Sequence, residues 1–480
     1  MSHSSTGPAA PSSPAATGRA APASADGTRL KRVLGVPSLV LFGLVYMVPL
    51  TVFTTYGIVT QVTGGRVPVA YMITLATMVF TAMSYARMAR AYPFAGSAYT
   101  YTQRSFGPGI GFVSGWSLLL DYLFLPTINY LVIGIYLGEA FPAVPSWVFI
   151  LAAIALVTVL NIVGITSVSR ASTVIIAAQV VFIGVFIALS VVSLSGTGDV
   201  DLLRPLTGDG TETGLGPVMA GAAILCLSFL GFDAVSTMAE EAKEPARDVP
   251  RAIIIATVSA GLLFILLSYV SHVVHPSHQF ADPDSGALDV MASAGGTFLS
   301  AFFISAYVAG CIGSALTSQA SVSRIIFSMG RDGVFPRSVF GRLSARFATP
   351  VIAILVVSAW SLMAMLIDLG LLAEIISFGA LVAFSAVNLS VVKHYFIDQK
   401  ERSGAAVLTN LILPLIGFGL TVWLWTSLNG RTLIVGLIWM AVGVAYLAII
   451  TRGFRRPTPT IDVYESGDLV QRPEEDAHRA

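Results

Sequence analysis

Two carboxylates stand where carboxylates are expensive. Asp121 lies in Trp116-Ser117-Leu118-Leu119-Leu120-Asp121-Tyr122, and Asp233 in Leu227-Ser228-Phe229-Leu230-Gly231-Phe232-Asp233-Ala234. Both stretches are otherwise apolar, and a charge at the centre of a membrane helix costs about 2.5–3.5 kcal/mol on insertion scales. An acid kept at that cost can pair with an ammonium group or carry a proton. It can also be held by hydroxyls and the free N–H groups of an interrupted helix. Tyr46, Tyr56, Tyr122, Phe229, Phe232 and Tyr307 fall near these positions or near a second interruption around Thr51. Their ring faces can enclose a cation. Most aromatics in such segments merely pack, so the acids point more strongly to chemistry.

The elements that must hold these residues are membrane helices. Of 480 residues, 55% are hydrophobic and only 11% charged, with a mean hydropathy of +0.80. Soluble domains carry about a quarter charged residues, so this surface belongs in lipid. A helix needs about 20 apolar residues to span the hydrocarbon core. Twelve segments qualify, near 36–60, 68–91, 108–137, 146–164, 170–194, 216–239, 252–274, 297–322, 350–368, 371–396, 407–427 and 431–451. Continuous apolar runs exclude the alternation of a β-barrel. The predicted class is therefore all-α and integral to the membrane.

Charge orients the chain. Arg29, Lys31 and Arg32 precede the first span. Arg87, Arg90 and Arg104 follow the second, Arg170 the fourth, and Lys243, Arg247 and Arg251 the sixth. Arg324, Arg331, Arg337, Arg342 and Arg346 follow the eighth, Lys393, Lys400 and Arg402 the tenth, and Arg452, Arg455 and Arg456 the last. The alternate connections hold Asp199, Asp201, Asp209 and Glu212, or Asp282, Asp284 and Asp289. Basic connections stay on the cytoplasmic side, which predicts both termini inside a cytoplasmic membrane. Residues 1–28 and 457–480 read as solvated tails, flanking a membrane domain over 29–456.

Two spans are interrupted. The first carries Val48-Pro49-Leu50-Thr51-Val52-Phe53-Thr54-Thr55 mid-membrane, and the sixth carries Gly231 beside Asp233. Broken helices are tolerated where they line a cavity, and paired interruptions in two halves point to a midplane transport site. A proline kink plus a packing glycine is the plainer alternative.

Several classes are excluded. A net charge of +1 gives no reason to expect nucleic acid. None of Lys31, Lys243, Lys393 and Lys400 follows a glycine, so no phosphate-binding loop supplies ATP chemistry. No nucleophile elbow or zinc-protease motif argues for an enzyme. Cys226 and Cys311 read as buried small residues, not metal ligands. His272, His275 and His278 are spaced for a metal only if helical, and Pro276 interrupts them, so an external loop just beyond span seven is expected. No metal or cofactor is expected; the partners are lipid and a small-molecule substrate. A channel or membrane sensor is the reading from another class, though no charged pore-lining ring is visible.

Further motifs bring a family into view. They are Ala95-Gly96-Ser97-Ala98-Tyr99, Gly115-Trp116 leading to Asp121-Tyr122, Gly231-Phe232-Asp233 with Glu240-Glu241, and Ser323-Arg324 leading to Arg331-Asp332-Gly333 and Pro336. Over 33–455 the chain resembles the amino acid–polyamine–organocation superfamily of secondary transporters. The resemblance implies a five-plus-five inverted repeat with broken helices one and six, two additional helices, and alternating access. Gly43-Leu44-Val45-Tyr46-Met47-Val48-Pro49-Leu50-Thr51-Val52-Phe53 and Leu120-Asp121-Tyr122-Leu123-Phe124-Leu125-Pro126 are most similar to bacterial putrescine importers. That implies uptake of a diamine driven by protons, with an amino acid/proton symporter as the rival. Amino acid carriers of the superfamily place a glycine–small–glycine run at the first break, to hold the substrate carboxylate. Leu50-Thr51-Val52-Phe53 would crowd that notch. Some relatives also carry a lysine soon after the glycine ending span four. Here Gly164 is followed by Ile165-Thr166-Ser167, which leaves Asp121 and Asp233 as proton-coupling candidates.

Overall fold

A computed structural model describes residues 32–93, 97–164, 168–196, 200–210, 214–331, 335–344, 346–347, 349–456 and 458. The tails named above lie outside the described residues apart from Thr458. So do Arg29, Lys31, Ala95, Gly96, Ile165, Thr166, Ser167, Asp199, Glu212, Asp332 and Gly333. Helices account for every regular element among the described residues, and the one β-bridge is isolated, between Leu34 and Ala242.

Eleven described helices are long and apolar enough to cross a bilayer. Where the ninth full span was expected, the chain forms the shorter apolar helix Val351–Met365. Its α-helical part, Val351–Ser361, tightens into a 3₁₀ turn over Leu362–Met365. The steeper rise of that turn stretches the segment to about 25 Å. The eighth span is longer than read, Ala287–Arg331, because a short lead helix joins it through a kink at Gly295 and Gly296. Leucine, isoleucine and valine on outer faces stay open, among them Val174 at 69% and Ile438 at 59% exposure. Apolar surface on that scale needs lipid to cover it.

Both expected breaks are present. The first span is helical over Val36–Met47, turns through Val48, continues as a 3₁₀ segment Pro49–Phe53, and resumes as a helix over Tyr56–Thr63. The sixth is helical over Leu215–Leu225 and 3₁₀ over Cys226–Phe229 and Asp233–Glu241. The third span, Pro108–Ala140, runs continuously between them. Its motif residues divide by task. Gly115 leaves room for the Tyr99 ring, since a Cβ there would sit 2.9 Å from it. Trp116 exchanges hydrogen bonds with Trp439 of the last span, each indole N–H donating to the other's carbonyl at 3.0 and 2.9 Å. Gly115 and Trp116 are thus used in packing the third span against its neighbours.

Candidate functional site

The two breaks meet. Gly231 has φ +124°, and a Cβ built on it would lie 2.5 Å from Cδ1 of Tyr46 and 3.2 Å from the Met47 nitrogen. Only glycine permits both that backbone and that approach. Across the contact, Val48 sits at φ 51°, a β-branched residue in a region where such residues are outliers. Thr51 stabilises the turn: its hydroxyl donates to the freed carbonyls of Met47 (2.7 Å) and Val48 (2.6 Å). The Thr51 and Thr54 N–H groups close 3₁₀ bonds to Val48 and Thr51. Toward the basic face the two spans are laced again, with Val33 and Leu34 donating to the Glu241 carbonyl and Lys243 to Leu34, all at 2.9 Å. Spans one and six therefore form one unit joined at two levels.

Beside the breaks lies a cavity of about 510 Å³. Tyr46, Met47, Val48, Thr51 and Thr54 form one wall, Leu125, Ile128 and Asn129 a second, and Tyr307, Cys311 and Ser314 a third. Leu227 and Leu230 come from the sixth span and Gln179 from the fifth. A sealed aromatic cluster closes the side away from the arginines. Phe53 packs edge-on against Phe182, Phe186 and Phe303, and Tyr136 packs on Phe303 and Tyr307 while donating to the Phe53 carbonyl at 3.1 Å. Thr54 and Tyr307 pair through their hydroxyls. The opposite end reaches Phe42 and the exposed Thr317.

Among the described residues, no carboxylate, histidine, lysine or arginine lines this cavity. Asp121 stands one helical turn from the lining residue Leu125, and Asp233 three residues beyond the lining residue Leu230. They interact electrostatically with each other and with Tyr46 and Tyr122. Their surroundings differ. Asp233 accepts from the Ser97 hydroxyl at 3.3 Å and from the Gly231 N–H at 3.3 Å. Asp121 is equally buried, yet its Oδ1 has no hydrogen-bond partner. Pro126, one turn on, has no N–H to give the Tyr122 carbonyl, so the helical bond to that acceptor is missing.

The sequence comparisons bear directly on this arrangement. The profile described as amino acid permease matches residues 38–453, which includes both breaks and the third span. The chain belongs to the amino acid permease family. It is 41% identical over 440 residues to the low-affinity putrescine importer PlaP of Escherichia coli strain K12, covering 90% of this chain and 96% of that one. It is 28% identical over 447 residues to the branched-chain amino acid permease BcaP of Bacillus subtilis, covering 88% and 94%. It is 30% identical over 384 residues to the vacuolar cationic amino acid transporter 4 of Arabidopsis thaliana, covering 76% and 63%. The chain is thus a multi-pass membrane permease of the amino acid–polyamine–organocation superfamily.

Within this permease, the residues singled out from sequence fall into three groups. Tyr46, Thr51 and Tyr307 line the cavity. Asp121, Tyr122 and Asp233 do not line it but interact electrostatically with Tyr46, which does. Tyr56, Phe229 and Phe232 lie elsewhere, in packing. Phe229 rests on Tyr71 and Phe264, Phe232 on Tyr85 and Phe384, and Tyr56 on Phe280 of the loop after span seven. Phe229 lies in a 3₁₀ segment, whose side chains turn about 120° per residue, so neighbours there face different partners.

Two residues passed over in the sequence belong to the cavity. Gln179 is 1% exposed, and its Oε1 has no hydrogen-bond partner. Asn129 donates to Ser314 Oγ at 3.1 Å and to the Leu125 carbonyl at 2.8 Å. Both were visible as lone amides inside apolar spans, and Asn129 stands eight residues, about two turns, beyond Asp121. The histidine run is placed partly as expected. His278 pairs with Asp209 in the loop region. His275 contacts Ser293 Oγ at 2.9 Å. His272, however, is inside the seventh helix (Pro245–Val274), packed where a Cβ on Gly65 would sit 2.7 Å from its ring.

Proposed function

We propose that the chain imports putrescine or a related polyamine by proton symport with alternating access. The observation that carries this reading is the 41% identity to PlaP across 96% of that importer. The first break supports it. Leu50, Val52 and Phe53 are buried there, and the Thr51 and Thr54 N–H groups are used within the turn. A substrate carboxylate would find few bare donors at this point. A diamine needs acceptors and negative potential instead, and Asp121, the Tyr122 carbonyl and the Gln179 Oε1 offer them next to the Tyr46 and Tyr307 rings. Asp121 is assigned the ammonium, and Asp121 and Asp233 together the coupling proton. The aromatic cluster closes the outer path and the end near Thr317 faces inward, with both termini cytoplasmic, in keeping with the run of basic connections.

The rival is an amino acid/proton symporter on the same scaffold, favoured by the 28% identity to BcaP. Proteoliposomes with an imposed pH gradient separate the two. Saturable uptake of labelled putrescine, collapsed by a protonophore and untouched by excess amino acids, is the expected result. Amino acid uptake with no putrescine entry would replace the first reading with the second. Absence of counterflow exchange for either substrate would remove both.

A further inference from the structure

A second cavity of about 180 Å³ lies on the arginine-bearing face, and it shares no residue with the central one. Arg87 and Arg90 reach it from the end of the second span (Val67–Ala91), Arg251 from the start of the seventh, and Thr409 from the start of the eleventh. None of the three arginines pairs with a described carboxylate. The guanidinium of Arg87 lies 4.6 Å over the Tyr395 ring, and the Tyr395 hydroxyl donates to the Arg87 carbonyl at 3.1 Å. That stacking fixes the head group, yet its Nε is buried with no acceptor. Ser84, 1% exposed and also lining the cavity, has a hydroxyl with no partner.

Buried donors without acceptors cost about 1–3 kcal/mol each, and three neighbouring guanidinium groups repel one another. An anion with several acceptor oxygens relieves both, and phosphate matches the guanidinium fork. The remaining wall is apolar, from Ile254, Leu413 and Pro414. It continues outward through Ile255, Leu408 and Ile412, which are 43–48% exposed. A charged pocket opening onto an apolar flank fits a head group with its chains attached. We propose that this cavity binds the phosphate of an anionic membrane phospholipid, bracing the second, seventh and eleventh spans against one another. On the orientation proposed above this is a lipid of the cytoplasmic leaflet, and the site itself does not rest on that orientation.

The full chain, purified into phosphatidylcholine nanodiscs with or without phosphatidylglycerol, tests this by counting retained lipid after release into the mass spectrometer. Wild type is expected to retain phosphatidylglycerol. R90Q/R251Q alters two exposed side chains and is expected to bind it roughly thirtyfold more weakly, at about fivefold per arginine. R455Q, an exposed arginine outside the cavity, should behave as wild type. If the double variant elutes as an aggregate, R251Q alone should lose about fivefold. Equal retention by wild type and variants overturns the site. Inorganic phosphate provides the second arm: a thermal shift that needs the same arginines, without lipid retention, overturns the lipid as its source.

Discussion

Asp121 and Asp233 are the same residue type at similar depth, and their surroundings set them apart. Asp233 sits on the interrupted sixth span, where the break's own N–H at Gly231 and the Ser97 hydroxyl occupy its two oxygens. Asp121 sits on an unbroken 33-residue helix and keeps one oxygen without a partner. A carboxylate already served by protein donors holds a local geometry together. One left short of donors is available to a ligand or a proton. Under the proposed function, this difference gives the ammonium to Asp121 on the continuous helix and leaves Asp233 to shape the break while sharing the coupling proton.

Asp121→Asn tests the assignment most severely. Removing one partner of a desolvated charge pair costs about 2–5 kcal/mol, so kcat/KM for putrescine should fall more than about thirtyfold with normal membrane insertion. Unchanged uptake would make Asp121 structural and erase the contrast. Asp233→Asn should lose less, about fivefold, because the amide oxygen still accepts one of the two hydrogen bonds, each worth about 1 kcal/mol net. If Asp233→Asn proves the more damaging of the two, the assignment is reversed.

A third acid sharpens the comparison from outside the membrane segments. Burial, with Asp282 and Asp368 nearby, pushes Asp284 up to about 6. Its charge is absent below that pH and present above it. As pH on the side bearing Asp284 rises from 5 to 7, KM for a polyamine should drop a few-fold through the added negative potential, and Asp284→Asn should flatten that change. Stability moves the other way. With the folded value above the ordinary 3.8, the unfolded chain ionises first, and stability declines as pH rises between the two values. Asp284→Asn should therefore unfold at a slightly higher temperature than wild type at pH 7. The smallest effect is expected from Ser97→Ala. It removes one donor from Asp233, and should cost about 1 kcal/mol, read as a shift in melting temperature with putrescine KM changed less than about threefold.

Much of the architecture was legible because lipid imposes it. Apolar length and basic connections gave the spans. Pro49 and Gly231 marked the breaks, since each disturbs a helix by its own chemistry. The shortened ninth segment and the long eighth were less legible, because a 3₁₀ turn and a Gly295–Gly296 kink change helix length without changing composition. Within the site, Tyr46, Thr51 and Tyr307 were found because they adjoin the breaks. Tyr56, Phe229 and Phe232 adjoin them as closely and yet pack elsewhere, because a break resets the direction of the chain and the facing of residues beyond it depends on that new direction.

The amino-acid order alone determined that this chain lives in a bilayer, that two spans are broken there, and that two acids lie at membrane depth. Each follows from the transfer cost and backbone chemistry of individual residues. Only the tertiary structure decided that the breaks touch through Gly231 and Tyr46, that Gln179 and Asn129 join the cavity, and that Asp233 is satisfied while Asp121 is not. Those facts depend on which donors arrive from distant segments, and hydrogen-bond satisfaction is a property of the packed set, not of any residue in it.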